Sequence, residues 1–466
     1  MIQTINSVFK AQQAHKYTLR NTNVTQRINK LSALKASIEK FEKEIYAALK
    51  SDLRKSEFES AITEVIFIYS EIDFAIKNLS SWMEPLSVGK TITGLMAKNR
   101  IYYEPKGVCL IIAPWNYPFQ LMMAPLISAV AAGNCVILKP SELSSETSSI
   151  ICRVIDDCFT EEEVCCFEGD ASLSGILLSL PFDHIFFTGS TAIGKVVMEA
   201  ASKNLSSVTL ELGGKSPTII DETADLKQAA AKIAWGKLTN AGQTCIAPDY
   251  ILLPVASQEE FIRHYRDAVK RMFFLGNGEI DLSSYAKIIN KKHFNRIAGL
   301  IADALDKGAA LALGGENDFL NHTIHPTLLT NLPEHAEIMK EEIFGPVLPL
   351  ITYKSIEEAI EIVNKMSKPL ALYIFSRNKK TIHQVIKNTS SGGACVNDVL
   401  IHISNPKLPF GGVNGSGMGS CHGQFGFKTF SHERAVVFQS SMDMSHIIYP
   451  PYEKKGWVLK WLRKLM

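Results

Sequence analysis

The 466-residue chain lacks the marks of several special classes. Its nine cysteines include no C-x-x-C pair, which argues against a zinc site and against a disulfide framework. No apolar run approaches the ~20 residues that a membrane-spanning helix needs. Neither sign of charge is in excess: 49 Lys and Arg oppose 47 Asp and Glu, a net of +2, so nothing in the balance calls for nucleic acid. Residues 1–16 are polar and read as helix, not as a basic-plus-apolar leader, and the expectation is a reducing cytoplasm. Internal repeats and low-complexity blocks are absent. What remains is ordinary globular material, 46% hydrophobic and 21% charged. Its length suits roughly three domains.

Among the cysteines, Cys245 stands in the least core-like setting, Asn240-Ala241-Gly242-Gln243-Thr244-Cys245. A catalytic thiol needs a bend that exposes it, a field that favours thiolate and a base for later steps. Gly242 permits the bend. The small residues before Cys245 would let a helix begin near the thiol, and its free N–H groups would lower the thiol pKa and hold an oxyanion. Glu211 ends a Val208-Thr209-Leu210 strand, precedes Gly213-Gly214-Lys215, and is the candidate base. The alternative for any one cysteine is a buried small hydrophobe. Cys109, within Val108-Cys109-Leu110-Ile111-Ile112, has that character, and the adjacent Cys165-Cys166 reads as burial on successive faces of a strand.

Leu34, Ile38, Phe41 and Ile45 recur at helical spacing, and the chain up to about Asn78 reads as two or three helices. Residues 80–103, with Pro85, Gly89 and Gly94, read as an extended hairpin. Strand–helix alternation then begins, with strands at 108–112, 135–138, 164–167 and 184–187 and helices at 119–132, 145–157 and 192–203. Strands 208–212 and 217–220 start a second series that runs to a last strand at 394–397. Continuous apolar runs between helices imply parallel sheets covered on both faces. The glycine-dense stretch 411–419 is too compact for an element and is expected to be a loop over a site. Residues 430–439 read as a strand able to pair with the 80–103 hairpin. The fold class is therefore α/β: two doubly wound, Rossmann-like domains plus a small β bridging unit. The turn Gly189-Ser190-Thr191-Ala192-Ile193-Gly194 follows a strand and opens a helix, so its N–H groups are able to meet a pyrophosphate. Its spacing is G-x-x-x-x-G, not the dinucleotide fingerprint G-x-G-x-x-G, and a plain structural turn is the alternative. Near the C-terminus, Val458, Trp461, Leu462 and Leu465 fall at i, i+3, i+4 and i+7, with Lys460, Arg463 and Lys464 elsewhere, the pattern of an interfacial helix.

An ordered set of motifs resembles the aldehyde dehydrogenase superfamily. It comprises Pro114-Trp115-Asn116-Tyr117-Pro118, Leu138-Lys139-Pro140-Ser141-Glu142, Phe187-Thr188-Gly189-Ser190, Leu210-Glu211-Leu212-Gly213-Gly214-Lys215, Gly242-Gln243-Thr244-Cys245, Glu342-Ile343-Phe344-Gly345-Pro346 and the run Pro409-Phe410-Gly411-Gly412 to Gly419. The ending Asn414-Gly415-Ser416-Gly417-Met418 resembles the class 3 and fatty-aldehyde branch. The resemblance implies an NAD-binding domain at 1–79 and 105–210, a catalytic domain at 211–408, bridging and oligomerisation segments at 80–104 and 409–440, a tail at 441–466, and a homodimer. It implies NAD(P)-dependent oxidation of an aldehyde to the acid. Cys245 would attack, Asn116 and the Cys245 N–H would hold the oxyanion, and Glu211 would activate water. Gly189, Ser190 and Gly194 would serve the dinucleotide. Lys139 and Glu142 would contact the adenosine ribose, favouring NAD with NADP still open. Glu342 would meet the nicotinamide ribose and Phe410 the nicotinamide ring, while Glu341 is expected to be merely solvated. Tyr117, Leu121, Trp235 and Thr244 resemble an aldehyde tunnel for medium to long aliphatic or aromatic substrates, with core packing as the alternative. No metal is called for. The tail is expected to touch a membrane surface or, alternatively, to cap a tunnel. A CoA-acylating dehydrogenase and a non-redox thiol esterase are the competing activities.

Overall fold

The computed structural model describes residues 2–91, 97–441, 447 and 449–465; Gly94 of the hairpin and the side chains of Leu462, Lys464 and Leu465 lie outside the described residues. The N-terminal part exceeds the two or three helices expected. It holds helices Ile2–Arg20, Val24–Leu53, Glu57–Ser60 and Ile66–Met83, the last two joined by a π-turn at Ala61–Val65. Asn23 and Gln26 cap the second helix reciprocally, each side chain accepting from the other's main-chain N–H. Leu31, Leu34, Ile38, Ile45 and Leu49 form its fully buried stripe.

The first sheet has six strands in the order Gly417–Met418, Ser207–Glu211, His184–Thr188, Val108–Ile112, Cys135–Lys139, Val164–Cys166. All neighbours run parallel except the first pair. The second has seven, in the order Ala310–Leu313, Thr327–Thr330, Val347–Tyr353, Tyr250–Pro254, Pro217–Ile220, Ala371–Phe375, Gly393–Val396. Both are doubly wound. A third sheet joins Leu86–Val88, Lys98–Pro105 and Ser431–Phe438, with Ser431 opposite Pro105 and Phe438 opposite Lys98.

Helix Gln120–Ala132 is buried along its whole length, so its termini cannot turn to water. At its C-terminus Gly133 adopts φ +86°, and the buried Arg27 guanidinium donates to Ala131 O at 3.1 Å. Asn134 then accepts from Gly107 N and donates to Ala129 O and Phe430 O, tying the helix to the bridging segment.

Three sequence expectations need correction. Strand 208–212 does not head the second series: Ser207–Glu211 pairs in parallel with His184–Thr188 and closes the first sheet. The glycine stretch is not only loop, because Gly417–Met418 pairs antiparallel with that strand, Gly417 opposite Glu211. Cys166 is not simply buried on a strand face. It is bonded to Cys152 with a Cα–Cα distance of 5.3 Å, joining helix Ser145–Cys158 to the edge strand, while Cys165 is free and buried. Helix Lys291–Asp306 and strands Ala310–Leu313 and Thr327–Thr330 were not anticipated.

Trp82 carries the contact between the N-terminal helices and the bridging region. It is 5% exposed and meets the rings of Phe74 at 5.9 Å and Phe427 at 5.7 Å. Trp82→Ala is expected to cost about 3–5 kcal/mol, read as an earlier urea unfolding midpoint with unchanged slope.

Candidate active site

In the first sheet the winding reverses between Val108–Ile112 and His184–Thr188. Loops leave the carboxyl ends of these two strands in opposite directions, and a crevice opens there. The crevice is a cavity of about 430 Å³ lined by Pro114, Trp115 and Asn116 from one loop and Gly189, Ser190, Thr191 and Ala192 from the other. Thr191 begins a 12-residue helix capped by Ser190, so free main-chain N–H groups face this region. A Cβ on Gly189 would lie 2.5 Å from the tip of the Phe187 ring, which would have to shift to admit a larger residue. His293 also lines the cavity, and its Nδ1 is buried without a hydrogen-bond partner among the described residues. Glu211, Leu212, Gly213, Cys245, Arg296, Glu341, Glu342 and Phe344 complete the wall.

Cys245 reaches the cavity from a strained turn. Asn240, Ala241 and Gly242 adopt φ of 51°, 50° and 73° in succession, the left-handed region that only glycine occupies freely. A Cβ on Gly242 would stand 2.3 Å from Gly345 O. The expected helix N-terminus at the thiol is not there: helix Leu226–Leu238 ends before it, and a short 3-10 turn, Thr239–Gly242, follows. Gly242 and the polar side chains of this segment favour a turn over a helix start. Burial therefore dominates, and Glu211 and Glu342 add repulsion, pushing the Cys245 thiol well above its ordinary value. The N–H groups of Cys245 and Ile246 pull it down.

Glu211 is buried, and burial raises its pKa; the nearby His422 and hydrogen bonds from Thr188 and Cys421 act in the opposite direction. Thr188 Oγ1 donates to Glu211 Oε2 at 3.2 Å, and the Cys421 thiol lies 3.7 Å from Oε1. Glu342 sits against Gly213, where a Cβ would come within 2.2 Å of its Oε2. Burial, then the Asp249 charge, raises Glu342 to about 8. The loop that carries it is fastened from two sides. Lys215 Nζ pairs with Asp249 and donates to Ile338 O and Glu341 O, and Arg296 donates to Glu342 O and Ile343 O. Glu341 is not merely solvated: it lines the cavity and pairs with Arg296 at 3.0 Å.

A second cavity, about 220 Å³ and mostly apolar, lies beyond the thiol. Tyr117, Leu121, Trp235, Thr244 and Phe410 all line it, with Cys245 and Leu121 shared between the two cavities. Phe410 thus stands on the apolar side of the thiol, and the structure does not bring it to the cavity where a nicotinamide neighbour was expected. Lys139, Glu142 and Gly194 line neither cavity. Lys139 and Glu142 pair with each other at 2.8 Å, and Gly194 packs against Leu212. A larger groove of about 1000 Å³ between Arg20, Asp183 and Lys428 shares no residue with either cavity.

Sequence reasoning missed the residues that hold the site from behind. Asn116 Nδ2 donates to Gln243 O at 3.0 Å, and Asn240 Nδ2 donates to Asn116 O at 2.8 Å. Glu59 Oε1 accepts from Asn240 N at 2.8 Å. Lys55, fully buried, donates to Asn116 O at 2.9 Å. No local signal marks these residues, because Lys55 and Glu64 stand among Lys50, Asp52, Arg54, Glu57 and Glu59 in a charge-rich segment. Among the described residues, no group of three His, Cys, Asp or Glu side chains is placed to hold a metal ion, and no helix is long and apolar enough to cross a membrane.

Residues 3–436 match the Aldehyde dehydrogenase family. Aldehyde dehydrogenase family 3 member A2 of Macaca fascicularis is 45% identical over 91% of this chain and 87% of its own. The substrate-bound state of Staphylococcus aureus AldH superposes with a TM-score of 0.94 at 40% identity, covering 98% of this chain and 99% of that one. An NAD-dependent aldehyde dehydrogenase from Sinorhizobium meliloti superposes with a TM-score of 0.85 at 27% identity, covering 96% and 88%.

The electrostatics of the thiol have a direct readout. In the cofactor-free protein, alkylation of Cys245 by iodoacetamide is expected to be slow at neutral pH and to keep rising beyond 9.0, the ordinary thiol value. Glu211→Gln removes a negative charge and lowers the thiol pKa, so labelling accelerates. Peptide mass spectrometry across pH measures both, and a labelling plateau below pH 8 would contradict the assignment.

Proposed function

The chain belongs to the aldehyde dehydrogenase family, in its class 3 branch, and from that premise we propose that it oxidises medium- to long-chain aliphatic or aromatic aldehydes to carboxylic acids with NAD, through a thioester on Cys245. The observation that carries this reading is the thiol itself. It stands between the cavity at the strand switch point, where Glu211, Glu342 and the Ser190 turn gather, and a more apolar cavity beyond.

The switch-point cavity suits a dinucleotide. The helix N-terminus at Ser190–Thr191 suits a pyrophosphate, and the tight Gly189 turn allows close main-chain approach. We assign Glu342 to the nicotinamide ribose, and Lys139 with Glu142 to the adenosine ribose. Lys139 ends its strand, and the Glu142 carboxylate is 41% exposed. A carboxylate there would repel a 2′-phosphate, which favours NAD over NADP. The bound nicotinamide supplies the hydride acceptor and a positive charge that opposes the carboxylate repulsion on the thiol.

The chain's own groups do the rest. The Cys245 thiolate adds to the aldehyde carbon, and the carbonyl oxygen becomes an oxyanion. One Asn116 amide hydrogen is engaged by Gln243 O, which leaves the other for that oxyanion beside the Cys245 N–H. Removing one such donor costs about 3–4 kcal/mol at comparable sites. After hydride loss a thioester remains. Glu211, its basicity raised by burial, takes a proton from water, and the resulting hydroxide attacks the thioester carbon. Cys245 leaves as thiolate and the acid departs. The apolar lining of Leu121, Trp235, Ile401 and Phe410 supports apolar aldehydes. A water-activating Glu211 argues against CoA as acyl acceptor.

We also assign two contacts to the outer surface. A homodimer is supported by the bridging sheet, whose outer strands expose Leu86, Val88, Val437 and Phe438. Peripheral membrane contact is supported by helix Gly456–Leu465, which exposes Trp457, Leu459 and Trp461 beside Lys460 and Arg463. Val458 is buried instead of exposed, so the lipid face differs by one position from the expected stripe.

Reduced-nicotinamide absorbance tests the activity. It is expected to rise with apolar aldehydes and NAD, without CoA, and to vanish in Cys245→Ala; strict CoA dependence would sink the hydrolytic reading. For the tail, the full chain is expected to co-sediment with anionic vesicles and a chain ending at Pro450 to remain in solution; equal sedimentation would refute lipid contact.

A further inference from the structure

Lys55 and Glu64 have no place in the chemistry above, yet both are fully buried, and they pair at 2.5 Å. Burying two charges is costly and adds little net stability, so their placement matters. The Lys55 ammonium has three hydrogens and three acceptors: Glu64 Oε1, Asn116 O at 2.9 Å, and the face of the Tyr117 ring at 3.8 Å from its centroid. Glu64 uses its other oxygen to accept from Phe119 N and Gln120 N, both at 3.0 Å. Those are the first amides of helix Gln120–Ala132, where a negative charge is favoured. The pair thus grips the Asn116–Gln120 turn from three directions: one carbonyl, one ring and two N–H groups. It reaches it through the π-turn Ala61–Val65, which carries Glu64 inward and places Ile62 and Thr63 on the apolar cavity. Irregular turns of this kind are frequent at functional sites.

We infer that the Lys55–Glu64 pair is a positioning device for the oxyanion donor: it touches no substrate, and it acts on the reaction by fixing Asn116 and the Tyr117 wall relative to Cys245. The inference rests on the reading of Asn116 as that donor. Tyr117 Oη meets Thr244 Oγ1 at 2.8 Å, so a ring held by Lys55 also steadies the residue next to the thiol. Asn116 O receives both Lys55 and Asn240, so its main chain is pinned while one side-chain hydrogen stays free.

The test is a double variant, Lys55→Met/Glu64→Gln, in the full-length enzyme, with Lys55→Met/Glu64→Leu beside it. Glu64→Gln keeps an acceptor for Phe119 N and Gln120 N, and apolar replacement of a buried pair is often neutral for folding, so the folded fraction of each is measured first by circular dichroism and the kinetics are referred to it. Per folded enzyme, kcat is expected to fall about 100-fold, the scale of an ångström-sized misplacement, while NAD affinity and the aldehyde KM stay near wild type. The same pair is then introduced into Asn116→Ala. A device acting through Asn116 has nothing left to position there, so the further loss is expected to be under about threefold, a non-additive result. Full activity per folded enzyme would overturn the inference, as would an equal loss in both backgrounds, which marks a merely structural pair. An Asn116→Ala enzyme with undiminished kcat would instead overturn the reading of Asn116 itself, and the inference with it.

Discussion

The architecture depends on one buried helix whose two ends are each met by an opposite charge. Gln120–Ala132 has no exposed residue, so neither the free N–H groups at its start nor the free carbonyls at its end have access to water. Glu64 accepts at the start, and the Arg27 guanidinium donates at the end, both matched in sign to the helix dipole. Both charges come from the N-terminal helices, which thereby become part of the active centre despite standing far from it in sequence. Asn116 and Tyr117 lie just ahead of the helix, so whatever fixes its N-terminus fixes them. The bridging segment joins at the other end, where Asn134 links Ala129 to Phe430.

The second constraint is the meeting of the two sheets around the thiol. The left-handed turn 240–242 is unfavourable for Asn and Ala, and it persists because Glu59, Asn116, Gln243 and Gly345 surround it. Glycines serve here by absence. Gly213 leaves room for the Glu342 carboxylate, and Gly242 lets Gly345 O approach. Burial and the two carboxyls push the thiol well above its ordinary value in the cofactor-free protein.

Much of this was legible in the sequence. The parallel strands read as continuous apolar runs, Cys245 and Glu211 stood beside glycines and polar residues, and Asn116 was picked out by the motif resemblance alone. The structure brings these three to one cavity and gathers Tyr117, Leu121, Trp235 and Thr244 around the other. Other features depend on tertiary contacts that no local pattern encodes. Ser207–Glu211 joins the first sheet through its partner His184–Thr188, although its composition fits either sheet. A helix start at Cys245 was a fair reading of small residues, yet the chain folds there into a turn that only distant side chains make tolerable. Lys55 and Glu64 look like two surface charges until Asn116 and the helix start at Gln120 come into view beside them. Cys152 and Cys166 are joined across 14 positions with no spacing motif to announce the bond.

In the proposed reaction Cys245 carries the acyl group and Glu211 clears it. Intact-protein and peptide mass spectrometry of Glu211→Gln, mixed with NAD and one equivalent of an apolar aldehyde, tests it most directly. The expected result is one acyl group, attached at Cys245 and stable over minutes, with one equivalent of reduced nicotinamide formed. Reduced nicotinamide formed in repeated turnovers, with Cys245 never acylated, would contradict it.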